Sequence, residues 1–148
     1  MAEAKQLPTD ISAKMDELLR SAGEAGRSGD IAKSVELSLQ AWSLMPEPAN
    51  QWDFYPQTMA TGLVDDYVAL GDATSARAWI KTAYEMYDDP DHQNHYILIL
   101  EAAALHQMGL LDDAYAVFDR IYGLFGKAGF KGEGKAYLDF YQSMKKGK

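Results

Sequence analysis

Three glycine turns recur along this chain, each between two stretches of helical hydrophobic periodicity. A small residue follows each glycine after five positions. A turn that recurs with fixed offsets is typical of stacked helical hairpins, because each hairpin must bury its apolar face against a neighbour. The pattern therefore predicts an all-α stack of three antiparallel helical hairpins. The turns and their small residues are Ser28-Gly29-Asp30-Ile31 with Ser34, Leu70-Gly71-Asp72-Ala73 with Ala76, and Met108-Gly109-Leu110-Leu111 with Ala114.

The composition is typical of a folded domain, with 47% hydrophobic and 24% charged residues. Because 148 residues are enough for one core, we predict a single domain over residues 1–148. No apolar run approaches the roughly 20 residues that span a bilayer. The start of the chain, MAEAK, lacks the basic and apolar stretches of a signal peptide, and there is no cysteine. We therefore expect a cytoplasmic protein with no membrane contact, disulfide or thiol nucleophile.

Helical periodicity and turn residues predict about seven helices in four groups. The hairpins cover about 10–45, 50–87 and 91–125. A C-terminal helix over about 134–146 then covers the exposed apolar face of the last hairpin, as terminal caps do in solenoids. No segment has the alternating pattern of a strand.

Helix starts are predicted from capping residues and proline. Asp30 and Asp72 follow their glycines and are expected to cap the next helix. The third helix is expected to begin near Tyr55, because Pro56 is tolerated in a first turn. The fifth helix is expected over 92–108, with the aspartate before it as the cap.

The charge is acidic and unevenly distributed. The net charge is −8, but residues 127–148 hold six lysines against Glu133 and Asp139. The rest of the chain is therefore strongly acidic. An acidic body repels phosphate backbones and attracts basic partners, which predicts a protein partner with a basic surface and no nucleic acid. The alternative interpretation is a surface that only keeps the protein in solution.

Two motifs could bind a phosphate or a metal. The segment from Gly129 to Ala136 is close to a phosphate-binding loop, but no strand precedes it and Ala136 has no hydroxyl for magnesium. A flexible connector to the last helix is the preferred interpretation. His92 and His95 lie beside three aspartates and would share one helix face, so a metal site and a polar helix start both remain open. We predict no cofactor and no metal.

Acid–base catalysis would need paired carboxylates. The pairs Asp65-Asp66 and Asp112-Asp113 are adjacent in sequence, so the two side chains of each point to different sides of a helix. The serines of the second helix have no histidine nearby in the sequence. The chain therefore has no recognisable enzyme signature, and we predict a protein without catalytic activity.

Aromatic residues gather where the third helix begins. Trp52, Phe54 and Tyr55 lie there, and aromatics outside a regular helix are candidates for contact with a partner.

The hairpins resemble tetratricopeptide repeats, which pair two antiparallel helices and place a small residue where they cross. The resemblance covers roughly residues 10–125, although the glycines are 42 and 38 residues apart, against about 34 in the family. The second hairpin matches best, and the residues that match are Leu63, Tyr67, Gly71, Asp72, Ala76, Ile80, Ala83 and Pro90.

The resemblance implies that the first helix of each hairpin lines a concave surface for a partner. With the aromatics at the start of the third helix, the predicted partner-binding residues are Asp16, Trp52, Tyr55, Thr58, Thr61, Asp65, Tyr96, Ile99 and His106.

The function that this implies is protein binding. The stretches 122–130 and 137–141 resemble the C-terminal part of small bacterial tetratricopeptide-like proteins associated with polymorphic toxins, several of which are immunity proteins. That resemblance implies an immunity protein that binds and neutralises a bacterial toxin. The alternative is a chaperone or adaptor that holds a peptide segment of a partner in the groove.

Overall fold

The computed structural model of the protein describes residues 4–133 and 135–147. These residues form an all-α structure with no β-strand. Two short 3₁₀-helices, Ala49–Gln51 and Gly126–Phe130, lie between the longer elements. The α-helices are α1 Thr9–Arg27, α2 Ile31–Ser43, α3 Tyr55–Leu70, α4 Ala73–Met86, α5 His95–Gln107, α6 Leu111–Phe125 and α7 Lys135–Lys146.

The three predicted glycine turns have one shared geometry. Gly29, Gly71 and Gly109 have φ angles of 89°, 72° and 77°, the left-handed region that glycine adopts without strain. In each turn, the amide of the residue after the glycine donates to a carbonyl five residues back, at 2.8, 3.0 and 2.9 Å. This is the Schellman motif, which satisfies carbonyls that a helix end leaves free. The recurrence seen in the sequence is therefore a repeated hydrogen-bonding unit.

The small residues after these turns lie in the core, as the pattern predicts. Ser34, Ala76 and Ala114 are all buried. Each lies in the first turns of its hairpin's second helix, where a larger side chain would push the two helices apart. The helices pair as α1 with α2, α3 with α4 and α5 with α6.

Side-chain caps begin most of the predicted second helices. Asp30 accepts a hydrogen bond from the amide of Lys33, and Asp72 accepts one from that of Ser75, both at 3.1 Å. The equivalent position of the third hairpin is Leu110, which has no capping side chain. The predicted cap of the fifth helix is wrong, because Asn94 caps it and α5 therefore begins at His95.

The chain groups into two compact units, one up to Pro90 and one from Asp91. In the first unit α2 also packs on α3, so the two hairpins share a core. That core extends into the link between the hairpins. Its buried members are Leu7, Met15, Ala41, Met45, Ala49, Trp52 and Met59.

The second unit closes over an aromatic cluster. Phe118 of α6, Phe130 of the second 3₁₀-helix and Tyr141 of α7 are buried, and ring centroids of neighbouring pairs lie 5.6 and 5.7 Å apart. The helix α7 thus packs on the last hairpin, as predicted. Of the connector predicted over 129–136, Gly129 and Phe130 are instead helical and buried, so that this part of the prediction is wrong. Gly134, the predicted first residue of the capping helix, lies outside the described residues.

Within the described part of the chain, no helix is both long enough and apolar enough to cross a membrane.

Candidate protein-binding surface

Among the described residues, Phe54 is the most exposed large hydrophobic residue, and it lies just before α3. Its side chain is 62% exposed. Its backbone has φ 70° and ψ −60°, and the amide of Tyr55 donates a 2.8 Å hydrogen bond to the carbonyl of Asp53. These values define a γ-turn of the rare, strained kind. Phe54 is therefore an exposed aromatic residue in a backbone conformation that is unfavourable for any residue except glycine.

The γ-turn is held in place by the N-terminal segment. Lys5 donates from its amide to the carbonyl of Gln51 at 2.9 Å, and accepts at its own carbonyl from the amide of Asp53 at 2.8 Å. The side chain of Gln6 also donates to Asp53 Oδ2 at 3.2 Å. Because Gln51 and Asp53 are both bonded to Lys5, the chain leading into Phe54 is fixed, and strain at Phe54 can persist.

The two aromatic neighbours of Phe54 are anchored. Trp52 is buried, and its indole Nε1–H donates to the carbonyl of Pro46 at 2.8 Å. Tyr55 donates from its hydroxyl to Asp16 Oδ1 at 2.6 Å and forms an edge-to-face pair with Phe54, with 5.3 Å between ring centroids. This hydrogen bond raises the pKa of Tyr55 above its ordinary value.

These contacts define one continuous surface in the first unit, which we call the Phe54 surface: Asp16, Asp53, Phe54, Tyr55 and Thr58. The amide of Thr58 donates to the carbonyl of Phe54, so Thr58 lies in the first turn of the same helix. Two carboxylates flank the aromatic pair. An aromatic centre with a polar rim is the arrangement typical of protein–protein interfaces.

Three of the predicted partner-binding residues belong to the interior instead. Trp52, Thr61 and Ile99 are buried at 8%, 6% and 9% exposure, which leaves little surface for a partner. The hydroxyl of Thr61 donates to backbone carbonyls of its own helix, at Thr58 and Gln57. Helical spacing shows that residues share a face, but the packing of neighbouring elements decides whether that face is covered.

Besides Ile99, two of the predicted residues lie in the second unit, Tyr96 and His106. Tyr96 is 56% exposed near the start of α5. His106 is half-buried, and its ring lies edge-on to those of Tyr137 and Phe140, with centroids 5.3 and 4.7 Å away. His106 therefore takes part in the packing between α5 and α7.

The predicted residue Asp65 lies on α3, exposed, beside Asp66. Loss of surrounding water raises the pKa of Asp65, and the adjacent charge of Asp66 raises it further. The pKa of Asp66 is also raised by loss of water, although a 3.4 Å hydrogen bond from the hydroxyl of Ser34 opposes this. The pair forms no shared catalytic dyad, since Asp66 faces α2 while Asp65 remains at the surface.

The prediction that His92 and His95 share a helix face is wrong, because α5 begins at His95. His92 precedes the helix with φ 53°, and its carbonyl accepts from Arg120 at 2.8 Å. The ring of His95 donates from Nε2 to the carbonyl of Gly129 at 2.5 Å, since a carbonyl can only accept. Among residues 4–133 and 135–147, no group of three or more His, Asp or Glu side chains is placed to hold a metal ion.

The sequence predicted a cluster of aromatic residues at the start of α3 but not which of them is exposed. In the stretch WDFYP, neither hydrophobic periodicity nor composition distinguishes Trp52, Phe54 and Tyr55. The γ-turn separates them, and it depends on Lys5, far away in the sequence. The segment's position before a proline-containing first turn was the only local signal.

No known protein family, curated protein or solved structure matches this chain. The resemblance to tetratricopeptide repeats and to immunity proteins therefore stays a prediction.

Proposed function

We propose that this chain is a non-enzymatic protein-binding module that engages a basic partner protein through the Phe54 surface. The observation that carries the proposal is the exposed phenylalanine in a strained γ-turn. Burying such a side chain against a partner would release about 1.5–3 kcal/mol of hydrophobic free energy, which is unused in the isolated chain. Strained backbone held by its surroundings is found preferentially at functional positions.

The charges around Phe54 support a basic partner. Asp16 and Asp53 flank the aromatic pair, and neither forms an ion pair with a lysine or arginine of the described chain. Outside its last 22 residues, the chain carries far more acidic than basic residues. Complementary charge speeds encounter and favours one partner over another, while the buried aromatic contact supplies most of the affinity.

Site-specific crosslinking tests this proposal. A photoreactive phenylalanine analogue replaces Phe54 in one variant and Leu39, a 37% exposed residue of α2, in a matched control. Both are expressed in the native host. We expect one dominant crosslinked protein at position 54 and none at position 39. Equal crosslinking at both positions, or none at 54, would overturn the proposal.

Binding of the purified partner then gives the energetic test. Phe54→Ala is expected to weaken binding at least about tenfold, and Leu39→Ala to leave it unchanged. Affinity should fall from low to high salt, since exposed charges are screened. An affinity that is indifferent to both Phe54→Ala and salt would contradict the proposal.

The narrower proposal is an immunity protein that neutralises a bacterial toxin. The captured partner would then stop growth when expressed alone, and co-expression of this chain would restore it, whereas the Phe54→Ala variant would not. The alternative, a chaperone or adaptor, predicts instead that short peptides of the partner bind as well as the folded protein. A partner that is harmless when expressed alone and binds only when folded contradicts both the immunity-protein and the chaperone or adaptor proposals.

A further inference from the structure

A second feature of the first unit is a cleft of about 500 Å³ between α2, α4 and the link that joins α2 to α3. Trp42 of α2 and Trp79 of α4 line it, and their rings meet edge to face, with 4.9 Å between centroids and 86° between planes. Both rings are only half-buried. Two tryptophans that pack together and yet keep surface in a cleft present an aromatic wall that the core does not cover.

Two carboxylates complete the lining. Glu47 lies in the link and Glu85 near the end of α4, and both are exposed. Neither forms an ion pair within the described part of the chain, and no lysine or arginine lines the cleft. The remaining lining residues are neutral. The lining of the cleft thus combines aromatic ring surfaces with two negative charges that form no ion pair within the described part of the chain.

In the second unit, aromatic rings and a carboxylate also lie together, and there they surround a lysine of the chain itself. Lys145 places its ammonium 5.2 and 5.4 Å from the ring centroids of Tyr122 and Tyr141. The hydroxyl of Tyr141 accepts from Lys145 and donates to Asp119. Aromatic faces and a carboxylate there hold a cation of the chain itself. The tryptophan cleft has the same chemistry without such a cation.

We propose that the cleft binds the guanidinium of an arginine side chain presented by the partner protein. Tryptophan is the aromatic residue that attracts cations most strongly. A guanidinium is planar and weakly hydrated, so it can stack on an indole while its fork of donors pairs with a carboxylate of the lining. The methylene groups of arginine would cover the apolar lining, including Met86. This inference rests on the proposed function in one respect, because the arginine is supplied by the partner protein.

The indole N–H signals provide the test, because the chain has three tryptophans and one is an internal control. Trp52 is buried, and its Nε1–H is bonded to Pro46. The full-length protein is titrated with N-acetyl-arginine amide while the three indole signals are followed by NMR. We expect saturable shifts of the Trp42 and Trp79 signals and little change at Trp52.

Two further ligands test whether the cleft recognises the charge or the planar shape of the guanidinium. The citrulline analogue has nearly the same shape without the charge, and the lysine analogue keeps the charge without the planar fork. We expect no saturable shift with citrulline amide and weaker binding with lysine amide. Equal shifts with citrulline would overturn charge recognition, and equal affinity for lysine would overturn guanidinium selectivity.

Glutamate variants locate the site. The double change Glu47→Gln and Glu85→Gln is expected to weaken arginine amide binding about tenfold. Both residues are exposed, so the variant should fold as the parent does. Glu36→Gln, which removes the ion pair with Lys33 on α2, is the matched control and should bind normally. Unchanged binding in the double variant would overturn the proposal.

The same variants separate this inference from the proposed function. If arginine amide does not bind but binding of the partner still depends on Phe54, the arginine site is refuted and the protein-binding proposal stands. If arginine amide binds saturably but no partner is crosslinked at position 54, the Phe54 proposal is refuted and the arginine site stands.

Discussion

The hydroxyl of Tyr55 donates a 2.6 Å hydrogen bond to Asp16 Oδ1. This contact fastens the first turn of α3 to the middle of α1, across 39 residues of sequence. Together with the backbone bonds from Lys5, it fixes the chain on both sides of Phe54. The exposure of Phe54 is thus a property of the folded first unit and not of a loose loop.

Removal of the Tyr55 hydroxyl should destabilise the fold modestly. Tyr55→Phe keeps the ring but loses the bond to Asp16, and we expect a loss of about 0.5–1 kcal/mol in the free energy of unfolding because the pair is open to solvent. The measurement is urea unfolding. Tyr67→Phe in the same helix is the control, since no side-chain hydrogen bond of Tyr67 is seen in the described structure.

The pH dependence of this effect has a definite sign. The bond to Asp16 raises the pKa of Tyr55 above 10.0. Its contribution is therefore complete below the unfolded pKa and is lost as the pH rises through the folded pKa. The stability difference between parent and Tyr55→Phe should shrink at alkaline pH. A difference that persists there unchanged would contradict this account.

The strain at Phe54 can be measured by comparing two truncations. Phe54→Ala and Phe54→Gly both remove the ring, but only glycine adopts a φ of 70° without steric cost. We expect the glycine variant to be more stable than the alanine variant by about 1 kcal/mol in the free energy of unfolding. The same pair at exposed position 39, inside α2, should show the opposite order, because glycine weakens a helix interior.

The regular part of the fold could be predicted from the sequence because its causes are local. A glycine with its following small residue specifies a left-handed turn and a close helix crossing within a few residues. Asp30 and Asp72 cap their helices for equally local reasons. The fifth helix was misplaced because Asp91 and Asn94 are both good caps, and Arg120 of α6 binds the carbonyls of Asp91 and His92 and so holds them outside the helix.

The candidate site was less predictable because its causes are distant in the sequence. Phe54 is exposed and Trp52 is buried, although they are two residues apart in an aromatic segment. The difference follows from a backbone bridge to Lys5 and from a bond to Pro46. The tryptophan cleft likewise depends on the packing of Trp42 of α2 against Trp79 of α4, 37 residues apart in the sequence.

The left-handed turn at the end of α4 offers a stabilising change. The amide of Asp89 donates to the carbonyl of Tyr84 at 2.9 Å, the same bond that closes the glycine turns, but the left-handed residue here is Asp88 with φ 53°. We expect Asp88→Gly to raise the free energy of unfolding by about 0.5–1 kcal/mol. Thermal and urea unfolding would measure it.

The converse change provides the control. A Cβ at Gly71 would meet no atom within 4 Å, so Gly71→Ala tests the backbone conformation alone. We expect it to lower stability by about 1 kcal/mol. If both substitutions were neutral, the left-handed geometry would not limit stability at these turns.

Packing of the 126–130 segment predicts a large difference between two glycines. A Cβ at Gly129 would lie 2.7 Å from Ile121 Cγ2 and 2.9 Å from Phe125 Cβ, so Gly129→Ala should lower the free energy of unfolding by about 1–3 kcal/mol. Gly123 in α6 has no atom within 4 Å of such a Cβ, and Gly123→Ala should raise stability by about 0.5–1 kcal/mol. Equal effects would mean that the segment is not packed on α6.

The carboxylates of Asp65 and Asp66 predict a gain in stability on mild acidification. Both have pKa values raised above 3.8, mainly by loss of surrounding water. The folded state therefore disfavours their charged forms, and this penalty is present above the folded pKa and disappears as the pH falls toward the unfolded value. Asp65→Asn should accordingly stabilise the protein at about pH 7, and the gain should shrink at about pH 4.

Urea unfolding of parent and variant at the two pH values measures this effect. The control is Asp139→Asn on α7, an exposed aspartate that tests the general loss of one negative charge. Only the Asp65 variant should show a gain that depends on pH in this direction. A gain of equal size at both pH values would mean that Asp65 acts through packing and not through its charge. In that case Asp65 would carry no electrostatic penalty that a basic partner could relieve on binding.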